Sequence, residues 1–291
     1  MLSNEFVVAE KHFGVFAEKE SLPMVIRATH LLMRAFINFF KGRASFPSKK
    51  CPAKSANVTI CTFAGISTWG KQAIDHALVT IWEAQALGAS DENDKLGATL
   101  VQAHTYLQGA LMQVLQKKYA KAAWNIRVSW KHFSAALKAL DSFDGSDQVR
   151  QEYTVAAKMG VGAFNLALSF MPPTVIFVAK ILGVSAEREV GITLLRESAQ
   201  ADRMLSPIAA QILLAYFTTL SSMMGEQTTA MLTEADLLLK KCLKNHPGGV
   251  FFLWSKHRYH RSKGQVEEAL KAAKIAEVSC KDAPGLSLTG L

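Results

Sequence analysis

The chain has 291 residues, of which 49% are hydrophobic, with only 8 prolines and 18 glycines. This length can bury a substantial core in one large domain or two small ones, and the long stretches without proline or glycine favour helix. The formal net charge is +9, but the basic residues are mostly scattered, apart from clusters at 41–54 and 256–263. We interpret these clusters as solvated helix faces or loops, with an anion-binding patch as the alternative.

Known catalytic and metal-binding motifs are missing from the sequence. The four cysteines form no CxxC pair, and no histidine stands at zinc-finger spacing from them. Gly160-x-Gly162 lacks the third glycine of a dinucleotide fingerprint, and P-loop, Gly-x-Ser-x-Gly and His-Glu-x-x-His patterns do not occur. We therefore predict no catalytic residue, no cofactor and no metal, so that the protein is not an enzyme. His246, His257 and His260 sharing a metal is the less favoured alternative to helix-face histidines.

The N-terminal part divides into two segments. Residues 1–41 predict N-terminal helices, a first one at about 4–19 and a stronger one that follows Pro23 and ends at Lys41. Residues 42–65 contain Gly42, Pro47 and Pro52, which indicate an irregular loop or insertion, or an artefact of the gene model. The first residues are polar and charged, so we predict no secretory signal and a cytoplasmic protein with reduced thiols.

Residues 66–280 predict a helical domain, and residues 281–291 a frayed tail. Asp94 and its acidic neighbours suit a helix N-terminus, and Gly264 marks the turn of a closing hairpin. Since no segment alternates polar and apolar residues, we predict an all-α fold of about eleven helices without a sheet. Within this domain the predicted helices lie at about 67–87, then from an acidic start at 90–94 to 115, and at 119–140, 148–170, 173–183, 185–201, 206–224, 228–245, 250–263 and 265–280.

Two uncharged stretches, 159–179 and 204–225, are as long as a membrane-spanning helix. The first is interrupted by Pro172-Pro173, and the second carries glutamine, serine and threonine together with Pro207. We interpret both as helices of a buried core. A membrane span and docking on a membrane surface are the alternatives.

Trp124 and Trp130 belong to the predicted helix at 119–140 and are flanked by Lys121, Arg127 and Lys131. We interpret them as core tryptophans beneath a basic outer face. A base-stacking surface is the alternative. In a later segment, Glu187-Arg188-Glu189 predicts a helix start, at which Arg188 could pair with a carboxylate and hold two helices in register.

Several of these segments resemble one known family. Residues 123–133 are similar to its Gly-Trp-x-Leu-Arg-x-x-Trp-x-x-Tyr stretch, residues 160–216 to its central Pro-Pro block, and residues 251–270 to its closing hairpin, in which His257 stands where the family has glycine. The resemblance is to the tetratricopeptide repeat protein 39 and inclusion-body clearance family, and it is clearest over residues 92–280. The motif residues that carry it are Trp124, Arg127, Trp130, Phe164, Pro172, Pro173, Gly183, Arg188, Gly191, Pro207, Tyr216, Arg258, Gly264 and Ala269.

The resemblance implies a tetratricopeptide-like superhelix that acts as a non-catalytic adaptor between proteins. It also implies roles in protein turnover, lipid homeostasis or inclusion-body clearance, or in cilium assembly. The alternative is a peripheral membrane or lipid-droplet protein, which would use apolar helices and basic charge for weak contact with anionic membrane. Nucleic acid is not expected as a partner, because no base-reading code recurs along the chain.

The closing hairpin predicts self-association. Relatives with this hairpin continue into further repeats, so we expect the chain to be a fragment, a short isoform or a truncated gene model. The face that carries Phe251, Phe252, Leu253 and Trp254 would then be partly exposed, and exposed apolar patches drive association.

Overall fold

The computed structural model describes residues 94–170 and 187–279, together with residues 15, 18, 27, 28, 78, 79, 81–83, 85 and 86. These residues form helices, turns and loops without any strand, so the predicted all-α class is confirmed. Nine α-helices and one π-helical segment have complete bounds in this part of the chain. They are α1 Lys95–Leu115, α2 Tyr119–Asp141, α3 Asp147–Leu168, α4 Arg188–Gln200, α5 Ser206–Ala215, the π-helical segment Tyr216–Leu220, α6 Ser221–Met223, α7 Thr229–Asn245, α8 Val250–Ser262 and α9 Val266–Ser279.

Local capping explains where several helices begin. The Asp94 carboxylate accepts a hydrogen bond from the Gly97 amide at 2.8 Å, and Ser146 and Thr228 accept from amides in the first turns of α3 and α7. Each side chain satisfies a backbone donor that has no partner within the helix. Pro207 lies in the first turn of α5, where a missing amide hydrogen costs nothing. The predicted helix bounds in the described ranges agree with the observed ones to within about three residues.

Neighbouring helices pack in pairs. α1 and α2 form one hairpin, α8 and α9 form another around Gly264, and α3 packs along α4. Gly264 has a φ of +71°, a backbone conformation that glycine adopts without strain. Behind α4, the continuous rod made of α5, the π-helical segment and α6 contacts α7 and α8.

One hydrophobic core joins these pairs. It begins with Leu96 on α1 and continues through Val155 on α3, Leu195 on α4 and Leu213 on α5 to Tyr259 on α8. Both uncharged stretches contribute to it wherever they are described: Met159–Leu166 of α3 and Leu205–Phe217 contain many of its most buried side chains. Within the described ranges, no helix combines the length and apolarity that are needed to cross a bilayer.

Several sequence predictions lie outside the described residues: most of the helices in 1–41, the segment 42–65, the helix at 173–183 and the tail 281–291. The domain division at residues 41, 65 and 280 therefore stays a prediction. Residues 15, 18, 27 and 28 are helical, as are the described residues of the helix predicted at 67–87.

Candidate functional site: a motif cluster and two exposed faces

Arg188 lies at the centre of a cluster that joins α3, α4 and the end of the α5–α6 rod. Its guanidinium pairs with Glu226 at 2.5 Å, donates from Nε to Ser169 Oγ at 3.3 Å and lies over the Phe170 ring, 5.1 Å from its centroid. The sequence proposed a carboxylate partner for Arg188 but did not identify it. Glu226 could not be identified from the sequence, because it lies 38 residues further along the chain, after α6.

Asn165 fixes the start of α4 against α3. Its side-chain oxygen accepts a hydrogen bond from the Glu187 amide at 3.1 Å, and its side-chain nitrogen donates to the Val161 carbonyl at 2.9 Å. The amide group is buried and has a partner on both ends, so it serves as a capping group supplied by a neighbouring helix. Sequence reasoning missed this role, because only the fold brings residue 165 to the α4 terminus.

Glycine permits an unusually close contact between α3 and α4. A β-carbon added at Gly162 would lie 2.9 Å from the Gly191 carbonyl oxygen, and one added at Gly191 would lie 2.9 Å from the Gly162 carbonyl oxygen. The two glycines thus face each other, and both backbones occupy the space that a side chain would need. This contact accounts for Gly191 among the motif residues.

Tyr216 and Phe164 are core residues. Tyr216 begins the π-helical segment and packs between the rings of Phe170 and Phe217, and burial raises the pKa of its phenol. Phe164 stacks on Trp130, with 5.0 Å between the ring centroids. Both aromatic motif residues therefore stabilise helix packing.

The prediction that Trp124 is a core tryptophan is wrong. Its side chain is 64% exposed, whereas Trp130 is half-buried against Phe164. The reason is helical geometry: the buried stripe of α2 follows Ala122, Asn125, Ser129 and Phe133, and Trp124 points to the opposite side. Arg127 is exposed as well, so two of the three motif residues of α2 face outward.

The closing hairpin is held by polar contacts and small residues. The His257 ring contacts the Ala269 carbonyl at 3.0 Å, and Ala269 is buried between α8 and α9. Arg258 is partly buried, and desolvation together with Arg261 lowers the pKa of its guanidinium. His257 thus adds a hydrogen bond between the two helices.

The sequence predicted an exposed apolar face on α8, whereas the structure places the exposed apolar residues of the hairpin on α9. Phe252 is fully buried, Leu253 is buried and Trp254 is partly buried, because α8 packs on α5, the π-helical segment and α7. The exposed apolar side chains lie on α9, and they are Val266, Leu270, Ile275 and Val278. They are spread over the solvent-exposed half of α9 with charged residues between them, and we call these four residues the α9 apolar face.

The histidines suggested as metal ligands have other contacts. His260 contacts Gln265 at 2.8 Å, His246 stacks on Phe252, and His257 contacts Ala269. Across the ranges that the structure describes, no three His, Cys, Asp or Glu residues come together in an arrangement that could hold a metal ion. A small cleft near the end of α7 is lined by Asp202, Pro207, Lys241 and Cys242 among others. Burial raises the pKa of the Cys242 thiol to about 11.

Three motif residues, Pro172, Pro173 and Gly183, lie outside the described residues. The described motif residues do not form one site. Arg188 and Tyr216 lie in the same cluster. Gly191 and Phe164 lie along α3 and α4. Trp124 and Arg127 lie on the outer face of α2. The hairpin residues Arg258, Gly264 and Ala269 are separate. Whether any of them acts in function stays a prediction.

The comparisons with known proteins agree with this arrangement of helix pairs. The family model described as Iml2/Tetratricopeptide repeat protein 39 matches residues 1–283, which is nearly the whole chain. No solved structure is significantly similar to it. The chain therefore belongs to the Iml2/tetratricopeptide repeat protein 39 family.

Proposed function

We propose that the protein is a non-catalytic helical scaffold that binds other proteins through the α9 apolar face. The observation that carries this proposal is the exposure of four large apolar side chains on one short helix, among them Leu270 at 54%. The opposite side of α9 buries Ala269, Ala272 and Ala276 against α8. A rigid helix that presents apolar residues to solvent is a typical protein-binding element.

The state of two titratable groups, Cys242 and His104, supports a non-catalytic role. With its pKa raised, Cys242 is a protonated thiol at neutral pH and a poor nucleophile. His104 is partly buried, with its Nε2 bonded to the Ala156 carbonyl at 3.1 Å, and it faces the ring of Phe133. Both groups are used in packing. The role in protein turnover, lipid homeostasis, inclusion-body clearance or cilium assembly that the family resemblance implies, and a cytoplasmic location, are the finer parts of this proposal.

The proposal is tested by affinity purification of the tagged chain from its own cells, with Leu270→Glu and Ile275→Glu combined in one variant. Lys244→Glu on α7 is the matched control, because it changes the net charge by the same two units at an exposed position away from α9. We expect at least one partner that the wild type and the control retain and the double variant loses. Equal partner sets for all three proteins would contradict a role for this face.

Self-association is the second candidate for the same face, since a second copy also offers apolar side chains. Sedimentation velocity of the wild type and the double variant over a range of concentrations distinguishes the two. Association that the double variant abolishes would assign the face to a second copy. A wild type that stays monomeric would rule out self-association and support binding of other proteins by the α9 apolar face.

A further inference from the structure

A long acid-free part of the chain coincides with one helix hairpin. Between Asp94 and Asp141 the sequence contains six lysines and one arginine but neither aspartate nor glutamate. This interval is the hairpin of α1 and α2. Inspection of the sequence for dense clusters misses it, because the cations are spread over more than forty residues and only helical geometry collects them.

The cations gather on the outer side of α2. Lys121, Trp124, Arg127, Lys131 and Lys138 follow one another at intervals of three, three, four and seven residues, which places them on one side of a helix. All five side chains are exposed, and we call them the α2 basic face. None of its four cations forms an ion pair within the described part of the chain, whereas Arg188 and Arg196 do.

The residue types on this face suit a particular kind of surface. Tryptophan prefers the boundary between water and lipid, because its ring is apolar and its N–H is polar. Lysine and arginine beside it are attracted by anionic headgroups. The small alanines 120, 123, 135 and 139 are also exposed on α2, so the helix can approach a plane without large obstructing side chains.

The shape of the face decides between possible occupants. A helix of 23 residues extends for about 34 Å, and its outer side is convex. A bound peptide needs a pocket for its anchoring side chains, whereas the five side chains of the α2 basic face project from one convex helix surface. We infer that the α2 basic face docks the protein on an anionic phospholipid membrane surface, with Trp124 at the headgroup level.

The inference differs from the membrane alternative raised by the sequence. That alternative relied on the apolar helices and on the overall basic charge of the chain, and it named no particular face; the described residues of the uncharged stretches are largely buried in the core. The α2 basic face is independent of them, and it is also independent of the α9 apolar face. The protein therefore carries a surface for a membrane in addition to the one proposed for proteins.

Co-sedimentation of the full chain with vesicles tests the inference. We expect binding to vesicles that contain phosphatidylserine and little binding to vesicles of phosphatidylcholine alone. Replacing Lys121, Arg127 and Lys131 by glutamine should lower the partition coefficient on the order of a hundred-fold, at about five-fold per removed charge. Salt at about 1 M should release the wild type, since it shortens the screening length to about 3 Å.

The matched control replaces Lys244, Arg261 and Lys274 by glutamine. These three cations are exposed on other helices, so the control loses the same net charge and should retain most of the binding. A control that loses binding as fully as the α2 variant would show that overall charge is responsible, and it would overturn the inference. Circular dichroism and a melting curve of both variants verify that they fold.

Trp124 provides a second measurement. Quenching of tryptophan fluorescence by brominated lipid should decrease when Trp124 is replaced by phenylalanine, while binding to phosphatidylserine vesicles persists at a reduced level. Unchanged quenching would contradict the placement of Trp124 at the headgroups. Binding of polyglutamate or single-stranded RNA through this face, without vesicle binding, would assign it to a different occupant and also overturn the inference. Partner capture through α9 should be the same for the α2 variant and the wild type.

Discussion

Gly162 and Gly191 show how a single hydrogen atom in place of a side chain determines the packing of α3 on α4. Each glycine lies against the other's carbonyl oxygen, and the position of Gly191 also touches the Leu166 amide nitrogen, 2.9 Å from where a β-carbon would stand. These neighbours are backbone atoms, which cannot rotate away as a side-chain tip would. Any larger residue must therefore separate the two helices.

The first prediction is that Gly191→Ala destabilises the protein by about 1–3 kcal/mol, the usual cost of overpacking. Urea denaturation followed by circular dichroism measures it. Gly248→Ala is the matched control, since a β-carbon there would meet no atom within 4 Å, and its stability should stay close to that of the wild type. A Gly191→Ala protein as stable as the control would show that the two helices can separate without cost.

His104 determines a pH dependence of stability. It is partly buried against Phe133 and Ala156, and desolvation lowers its pKa from 6.5 to about 4 in the folded protein. A proton then binds the unfolded chain more readily than the folded one. The stability that neutral His104 contributes is fully present above pH 6.5 and is lost as the pH falls towards 4.

The second prediction is that the free energy of unfolding falls by about 3 kcal/mol more in the wild type than in His104→Gln between pH 7 and pH 4. Glutamine retains an N–H donor for the Ala156 carbonyl and does not titrate. Denaturation curves at several pH values measure both proteins. His132, whose pKa is also lowered by burial, is present in both and cancels. Parallel pH profiles would contradict the assignment to His104.

At the scale of elements, α4 is held between α3 and α7 by ion pairs as well as by its apolar side. Lys158 on α3 contacts Glu197 at 2.6 Å, and Arg196 makes two hydrogen bonds with Glu234 on α7, at 2.6 and 2.7 Å. Both pairs are partly exposed, so solvent screens them. Their main effect is to fix the register of three helices whose apolar faces alone would permit sliding.

The third prediction concerns the pair of Arg196 and Glu234. A double-mutant cycle with Arg196→Met and Glu234→Ala should give a coupling energy of about 0.5–1 kcal/mol that decreases with salt. The same cycle on Lys271 and Glu268, an exposed pair within α9, should give a smaller coupling. A larger coupling energy for the α9 pair would mean that the salt bridge between α4 and α7 stabilises the protein no more than an exposed pair within one helix does.

The helices were largely predictable from the sequence, whereas the helices that each of them packs against were not. Capping by Asp94, Ser146 and Thr228 and the apolar period of α3, α5 and α7 are local signals, so the bounds of the helices follow from neighbouring residues. The exposure of Trp124 and the burial of Phe252 depend on which helices pack against α2 and α8. A list of motif residues does not contain that information. The exposure of Trp124 and the burial of Phe252 were predicted wrongly for this reason.

At the scale of the whole molecule, the core described above runs without interruption from Leu96 to Tyr259. In an ideal repeat array each unit contacts only its neighbours, and stability is a sum of local terms. Here the α5–α6 rod touches α4 before it and both α7 and α8 after it, and one shared core joins all of these helices. We therefore expect the helices from α1 to α8 to unfold together.

The fourth prediction is a single unfolding transition in urea. Far-ultraviolet circular dichroism should change at the same urea concentration as maleimide labelling of Cys242, which is buried between α5 and α7. The measurement uses a variant in which the other three cysteines are serine. Labelling that precedes the loss of helix would show that α7 detaches first and that the protein behaves as separate units.

The π-helical segment Tyr216–Leu220 has a consequence for changes in chain length. It holds one more residue than an α-helix would over the same rise, and side chains satisfy its altered backbone: Thr218 donates to the Leu214 carbonyl and Gln227 to the Phe217 carbonyl. Deleting one residue here would restore a regular α-helix, and the residues before and after the segment would keep their orientation, because the segment already accommodates one extra residue. The same deletion in a regular α-helix would instead rotate everything after it by about 100°. The π-helical segment is thus the place at which the rod can lose a residue while Ser221 stays in the core and Glu226 stays beside Arg188.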